Sequence, residues 1–477
     1  MNLPSAFAQQ TESVIGKEEY KKLEEALQQE SPVSVRIQLT VDSGELTVTM
    51  PHGNCQLSTV NCQLNKVPWC TDGYYLDERL TFTFDPLFHA GCYYVQEASS
   101  MFVEQVLKKY VTEPVTMLDL CAAPGGKSTH ARSVLPEGSL LVANEVIRNR
   151  SQVLAENLIK WGHPAVVVTN NNPADFEPLG AFFDVILTDV PCSGEGMFRK
   201  DPVAVEEWSP ENVNICWQRQ RRIIADIWGN LKPGGLLIYS TCTYNIKENE
   251  ENIEWIINEY GAEPLQVDVL PEWGITGNLQ GKNIPVYHFF PHKTKGEGFF
   301  LAALRKPEDA PVEYYSPGKN KKKQDKPVPV PKNVMQWLKN PDDYAIEVKG
   351  TNVVAFPKSY HEELTTLRKT LKVLHAGVTL GEIKGKDLIP DHSLAMSAVL
   401  NRSAFPLVEI SYEQAIAYLR KEAITLDAAT PRGYVLLTYK NIPLGFVKNI
   451  GNRANNLYPN EWRIRSGYLP DEVKVLG

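Results

Sequence analysis

Short continuous apolar runs punctuate the middle of the chain, at 115–120, 139–143, 165–169, 183–187 and 235–239, with helical spacing between them. Continuous rather than alternating runs of this length are strands buried on both faces. Strands that alternate with helices predict an α/β unit with a doubly wound sheet and a ligand crevice at the strands' carboxyl ends. Outside that region the pattern changes. Residues 17–29 put Tyr20, Leu23 and Leu27 among Lys and Glu, as a charged amphipathic helix does, while 33–39 alternates like a strand and Gly44 marks a turn. The stretch 69–84 is aromatic and β-prone, broken at Asp72-Gly73, and 99–110 is helical in pattern. Near the C-terminus, 434–438 and 444–447 flank a turn at Asn441-Ile442-Pro443.

These patterns divide the chain into a small α/β domain over 1–90, the doubly wound unit over 91–305, a linker over 306–331, an intermediate α/β region over 332–398 and a β-rich domain over 399–477. The linker is Pro-rich and carries Lys319, Lys321, Lys322, Lys323 and Lys326. It reads as exposed chain, with contact to an RNA backbone as the alternative. There is no internal repeat.

At 477 residues, a prior of about 150 residues per domain gives roughly two to four domains. No run approaches the ~18 apolar residues of a membrane span, and Met1-Asn2-Leu3-Pro4-Ser5 lacks the parts of a secretory signal. The eight cysteines are scattered with no CxxC pair, which argues against zinc and for a reducing, cytoplasmic setting. The net charge of −8 does not advertise a nucleic-acid binder. Basic residues nevertheless outnumber acidic ones in 401–477, and the reverse holds in 1–50. A basic groove on an acidic protein remains open.

The candidate chemistry sits just past the predicted strands. The first ends in Asp119-Leu120-Cys121-Ala122-Ala123-Pro124-Gly125-Gly126-Lys127. Two adjacent glycines let the backbone turn tightly and approach a ligand. The spacing is neither a P-loop nor GxGxxG. Glu145, about 20 residues on, stands where an acidic residue holds ribose hydroxyls. Asp175, after the third strand, is placed to meet an adenine edge. Together these point to S-adenosylmethionine. The fourth strand ends in Asp189-Val190-Pro191-Cys192, where amino-group methyltransferases carry Asp or Asn, two prolines and an aromatic. A thiol in place of the aromatic points away from exocyclic nitrogen. The fifth strand ends in Ser240-Thr241-Cys242. Carbon-5 of cytosine cannot take a methyl group unaided, but a thiolate adding to carbon-6 makes it nucleophilic. Asp189 is placed to share a proton with the ring nitrogen of such an adduct.

Segments 119–129, 189–198 and 240–245 resemble the motifs of the Sun-type (NSUN) RNA cytosine carbon-5 methyltransferases. Val67-Pro68-Trp69-Cys70 and Gln96-Glu97-Ala98-Ser99-Ser100 are similar to the N-terminal region of bacterial RsmF-like ribosomal RNA enzymes. Gly433-Tyr434-Val435, Pro443-Leu444-Gly445 and Leu457-Tyr458-Pro459 are similar to their PUA-like RNA-binding domain. The resemblance implies a Rossmann-like methyltransferase domain between a small N-terminal domain and a PUA-like domain. It also implies Cys242 as nucleophile, Cys192 as the residue assisting release, and cofactor contacts from Cys121 to Lys127, Glu145, Arg150, Asp175 and Asp189. One departure is Arg36-Ile37-Gln38, where the family often has Arg, a hydrophobic residue and Asn. The expected reaction is S-adenosylmethionine-dependent methylation of cytosine carbon-5 in 16S ribosomal RNA by a monomer, with neither metal nor membrane. Transfer RNA is the alternative substrate. A DNA cytosine methyltransferase and a non-catalytic ribosome-assembly RNA-binding factor are the competing readings.

Overall fold

The computed structural model describes residues 2–38, 65–312, 329–468 and 472–476, and the backbone of three short strands between 40 and 56. Gly44 and the five linker lysines lie outside the described residues.

The predicted strands all form. They are β1 (Thr116–Asp119), β2 (Leu140–Asn144), β3 (Val166–Thr169), β4 (Phe183–Asp189) and β5 (Leu231–Thr241), followed by β6 (Glu263–Leu265), β7 (Tyr287–Phe289), β8 (Phe299–Arg305) and β9 (Val373–Ala376). They make one nine-stranded sheet in the order β6-β8-β5-β4-β1-β2-β3-β9, with β7 also on β8. The five central strands are parallel; β8 and β9 run antiparallel to their neighbours. Side chains alternate between two apolar cores, Met117 and Val185 on one face, Leu118 and Ile186 on the other. Burial on both faces is why these strands read as unbroken apolar runs.

Helices that cover the sheet include α1 (Gly126–Val134), α2 (Arg148–Trp161), α3 (Pro210–Trp228) and α4 (Glu250–Tyr260). The strand registers pair Leu187 with Asp119 and Asp189 with Ser240, so the motif residues meet at the carboxyl edge.

The N-terminal region opens with two helices, Ser5–Ile15 and Lys17–Leu27, hinged at Gly16 with φ +84°. The first of these has no counterpart in the sequence reading. Their Phe7, Tyr20 and Leu23 pack on Phe198, Trp208 and Tyr244 beside the thiol-bearing turns. A four-stranded antiparallel sheet follows, of Val33–Ile37, Asn65–Lys66, Gly73–Leu76 and Tyr93–Val95.

The regions beyond the linker are woven into the rest. The stretch 332–398 contributes a four-stranded sheet, but it also lends β9 to the central sheet and Leu364 and Leu367 to one of that sheet's cores. Val334 and Leu394 share a further core with Leu436 and Phe446 across the 398/399 boundary, which therefore separates no core. The C-terminal hairpin turns at Lys440-Asn441, both at positive φ (+49° and +63°), and Pro443 lies within the strand Ile442–Asn449. The turn thus falls one residue earlier than the expected Asn441-Ile442-Pro443, because two consecutive left-handed residues match the strands' twist.

Candidate active site

Gly125, at φ +117°, turns the chain after β1, and Gly126 opens α1. Ser128 donates to Asp119 Oδ2 at 2.6 Å, tying that helix start to the strand. The other Asp119 oxygen is buried with no hydrogen-bond partner. Burial pushes this carboxyl up to about 7, against the Ser128 hydrogen bond and helped by Asp189.

Two cavities open at the carboxyl edge. The larger, about 730 Å³, is lined by Glu145, Ile147, Arg150, Pro173, Pro191 and Cys192 among others. The smaller, about 360 Å³, is walled by Tyr94, Gln96 and Glu97 from the N-terminal side, with Lys127, Lys200, Glu297 and Phe299. Cys121, Ala123, Asp189, Met197 and Cys242 face both. Asp189 and Cys242 therefore stand on a shared wall, where a ligand in one cavity meets a ligand in the other.

Asp189 is held from two sides. Lys127 Nζ lies 2.9 Å from Oδ2, and Ser240 donates to Oδ1 at 2.8 Å. Burial alone would lower the Lys127 pKa, but Asp189 reverses this and raises it, so the lysine stays charged. The two thiols face each other with Cys192 Sγ 3.0 Å from Cys242 Sγ, and the Cys242 backbone N–H points at Cys192 Sγ at 3.3 Å. The hydrogen bond to Cys242, with burial, drives the Cys192 pKa well above the ordinary thiol range. Cys192 thus keeps its proton, and either sulfur can be the donor between the two. Burial also raises Cys121, which suits a wall residue rather than a nucleophile.

The residues fit S-adenosylmethionine. Glu145 is buried at the end of β2, its Oε1 accepting the Ile147 N–H at 2.8 Å and its Oε2 3.5 Å from Arg150. Arg150 also donates to the Ala123 carbonyl at 2.8 Å, joining the carboxylate to the glycine turn. The turn is divided: Ala122, Pro124, Gly126 and Lys127 line the smaller cavity, whereas Gly125 supplies only the bend. Asp175 does not line the cleft. Its carboxylate accepts the Asn172 N–H at 2.8 Å as part of a capping box, and the neighbouring wall is Asn172-Pro173-Ala174. A helix cap competes for an Asp at that position and takes it here.

One cluster among the described residues has metal-ligand chemistry, Cys70, Glu104 and His130, all buried. Its carboxylate is already occupied. Oε1 accepts from Thr71 N–H and lies 2.6 Å from Lys108 Nζ, and Oε2 takes Cys70 Sγ and His130 Nε2. It latches the N-terminal region to the helices flanking β1.

Sequence reasoning missed the N-terminal wall of the smaller cavity, because Tyr94, Gln96 and Glu97 precede β1 and reach the site only through the fold. It also missed the buried Glu195, Asn245 and Glu248 beside the thiols. Both carboxylates lie within the motif segments or just beyond them, and only their acidic type in an apolar surround could have flagged them. Arg36 was noted only as part of a motif. It is buried, stacks over Trp161 at 4.4 Å and donates to Thr129 Oγ1 at 2.6 Å and Gln96 Oε1 at 3.0 Å, bonding the N-terminal sheet to α1.

Comparison with known proteins matches three segments. Residues 105–305 match the family described as 16S rRNA methyltransferase RsmB/F, residues 3–98 the N-terminal domain of 16S rRNA methyltransferase RsmF, and residues 405–464 the methyltransferase RsmF PUA domain. Ribosomal RNA small subunit methyltransferase F from Klebsiella pneumoniae is 31% identical over 423 residues, covering 85% of this chain and 86% of that protein. The protein of that name from Escherichia coli is 31% identical over 449 residues, with 89% and 88% covered. A methyltransferase homolog protein from Pyrococcus horikoshii superposes with TM-score 0.52 at 26% identity, over 64% of this chain and 95% of that one. NSun6 from Pyrococcus horikoshii with SFG, at 20% identity and TM-score 0.52, shares the fold over 64% of this chain and 99% of its own.

Proposed function

The chain belongs to the RsmB/F family of 16S rRNA methyltransferases, and on that premise we propose that it methylates carbon-5 of a cytosine in small-subunit ribosomal RNA through a covalent enzyme–base adduct. The observation that carries this reading is the shared wall, where Asp189 and Cys242 face both cavities. The larger cleft takes S-adenosylmethionine, with Glu145 toward the ribose hydroxyls and Arg150 bracing the turn. When bound there, the cofactor supplies an electrophilic methyl group. The smaller cavity takes the target base, flipped out of its helix or presented in a loop.

Cys242 attacks. Its thiolate adds to carbon-6, and the electron pair displaced from the ring double bond makes carbon-5 nucleophilic. Asp189, fixed by Lys127 and Ser240, shares a proton with the ring nitrogen as charge develops there. After methyl transfer solvent water takes the proton on carbon-5, the freed C–H pair re-forms the ring double bond, and the carbon–sulfur bond breaks with its pair returning to Cys242 as thiolate. Cys192, 3.0 Å from Cys242 and outside the base cavity, is the group that assists this release. A ribosomal RNA substrate supports a cytoplasmic setting for the enzyme.

The test uses purified protein, small-subunit ribosomal RNA and methyl-labelled S-adenosylmethionine. Cys242→Ala is expected to abolish both methyl transfer and adduct. Cys192→Ala is expected to accumulate a covalent RNA–protein complex on a denaturing gel. Normal turnover by Cys192→Ala overturns the division between the thiols, and methylation of transfer RNA in preference to ribosomal RNA overturns the substrate.

A further inference from the structure

Each thiol-bearing turn is clamped by a carboxylate that the other turn supplies. Glu195, from the turn after β4, accepts the Tyr244 N–H at 2.8 Å, two residues past Cys242. Glu248, from the turn after β5, accepts the Ser193 N–H at 3.0 Å, immediately after Cys192. Asn245 Nδ2 joins the two, donating to Glu195 Oε1 at 2.9 Å and to Glu248 Oε1 at 2.8 Å. Gln220 of α3 braces the same turn as Glu248, donating to the Pro191 carbonyl at 3.0 Å and to Glu248 Oε2 at 2.7 Å. A backbone bond from Gly196 N–H to the Cys242 carbonyl, 2.8 Å, closes the exchange.

Stability alone does not explain this arrangement. Both carboxyl groups are buried, and two like charges out of water cost more than apolar packing of equal volume. Burial, with Glu195 close by, pushes the Glu248 carboxyl up to about 7. What the exchange secures is geometry: neither turn can shift without moving the other, so the thiol pair keeps its spacing. Neither Glu195 nor Glu248 lines the cavities, so each acts through the turn it holds.

We propose that Glu195 and Glu248 are positioning residues with separate tasks, Glu195 fixing the Cys242 turn for attack and Glu248 fixing the Cys192 turn for release. This rests on the assignment of attack to Cys242 and release to Cys192. Single-turnover reactions with RNA and S-adenosylmethionine separate the steps, because adduct formation and decay are read on the same denaturing gel.

Glu248→Gln keeps an acceptor for the Ser193 N–H but loses one of its two oxygens. It is expected to slow adduct decay about tenfold, the scale on which small misplacement costs rate, with formation within about twofold of the parent. Glu195→Gln is expected to slow formation about tenfold with no build-up of adduct. Gln220→Met, which leaves both carboxylates in place, is expected to slow decay in the same direction as Glu248→Gln, less strongly. It carries the test if a glutamate variant fails to fold.

Equal losses in formation and decay for both glutamate variants, alongside lower melting temperatures, mark a merely structural role and overturn the proposal. If Cys192→Ala accumulates adduct while Glu248→Gln and Gln220→Met do not, the clamp is wrong and the thiol assignment stands. If Cys192→Ala accumulates none, both fall together.

Discussion

Asp119 ends β1 beneath the glycine turn, and its buried carboxyl makes stability depend on pH. Unfolded, its carboxyl ionises near 3.8; folded, burial holds the proton up to about 7. Between those values the folded chain keeps a proton that the unfolded chain releases, so this contribution to stability is full below pH 3.8 and is lost as pH rises to about 7. Asp119→Asn retains an oxygen for Ser128 and removes the titration. Its melting temperature is expected to exceed the parent's by several degrees at pH 8, with the difference shrinking at pH 5. Asp189, Cys192 and Cys242 could be placed at the carboxyl edge from sequence because each ends or closely follows a buried strand. Asp175 could not, since an Asp in the turn past a strand can equally serve a helix capping box, and only the packed turn decides between them.

At the scale of elements, the joints depend on close backbone approach. Gly162 closes α2 in the left-handed region, φ +79°, and accepts the Ala398 N–H at its carbonyl, 2.9 Å. A Cβ there would come within 2.2 Å of the Met396 carbonyl oxygen. Gly162→Ala therefore combines left-handed strain, at least about 1 kcal/mol, with displacement of the segment Ala395–Ala398 from α2. A lower melting temperature by calorimetry is the expected result, and an unchanged one would mean that the segment gives way freely. The glycine is visible in sequence as the end of a helix; its contact partner, more than two hundred residues away, is not. Likewise the central strands announced themselves through double-sided burial, whereas β9 is a short and mostly half-buried edge strand that no local pattern marks out.

The molecule as a whole is tied together across its ends. Val35, Leu87 and Tyr93 of the N-terminal region share one core with Ile416, Val435 and Tyr458. Asp85 accepts hydrogen bonds from Leu87 N–H, Tyr93 OH and Leu476 N–H, which fastens the C-terminal end to the N-terminal region. A chain ending at residue 312 would lose β9, leave β3 as an open edge, and strip Phe356, Leu364 and Leu367 from a core of the central sheet. Such a truncation is expected to aggregate rather than behave as a folded methyltransferase unit, as exposed edges and apolar faces dictate. A monodisperse truncated protein with the parent's melting temperature, by size exclusion and thermal scan, would refute this.

By itself the amino-acid sequence determined the parallel strands, the glycine turn that ends the first, the two thiols past the fourth and fifth, and the family resemblance those motifs carry. All of these are encoded by residues close in the chain, where burial period and turn chemistry act locally. Tertiary structure decided that Asp189 and Cys242 share the wall between two cavities, that Tyr94 and Gln96 complete the smaller one, and that Glu195 and Glu248 exchange places to hold the thiols 3.0 Å apart. Those facts depend on the register of Asp189 with Ser240 and on contacts between residues about fifty or more positions apart. Pairing over such distances is set by how whole strands and helices pack together, and no local run of residues specifies it.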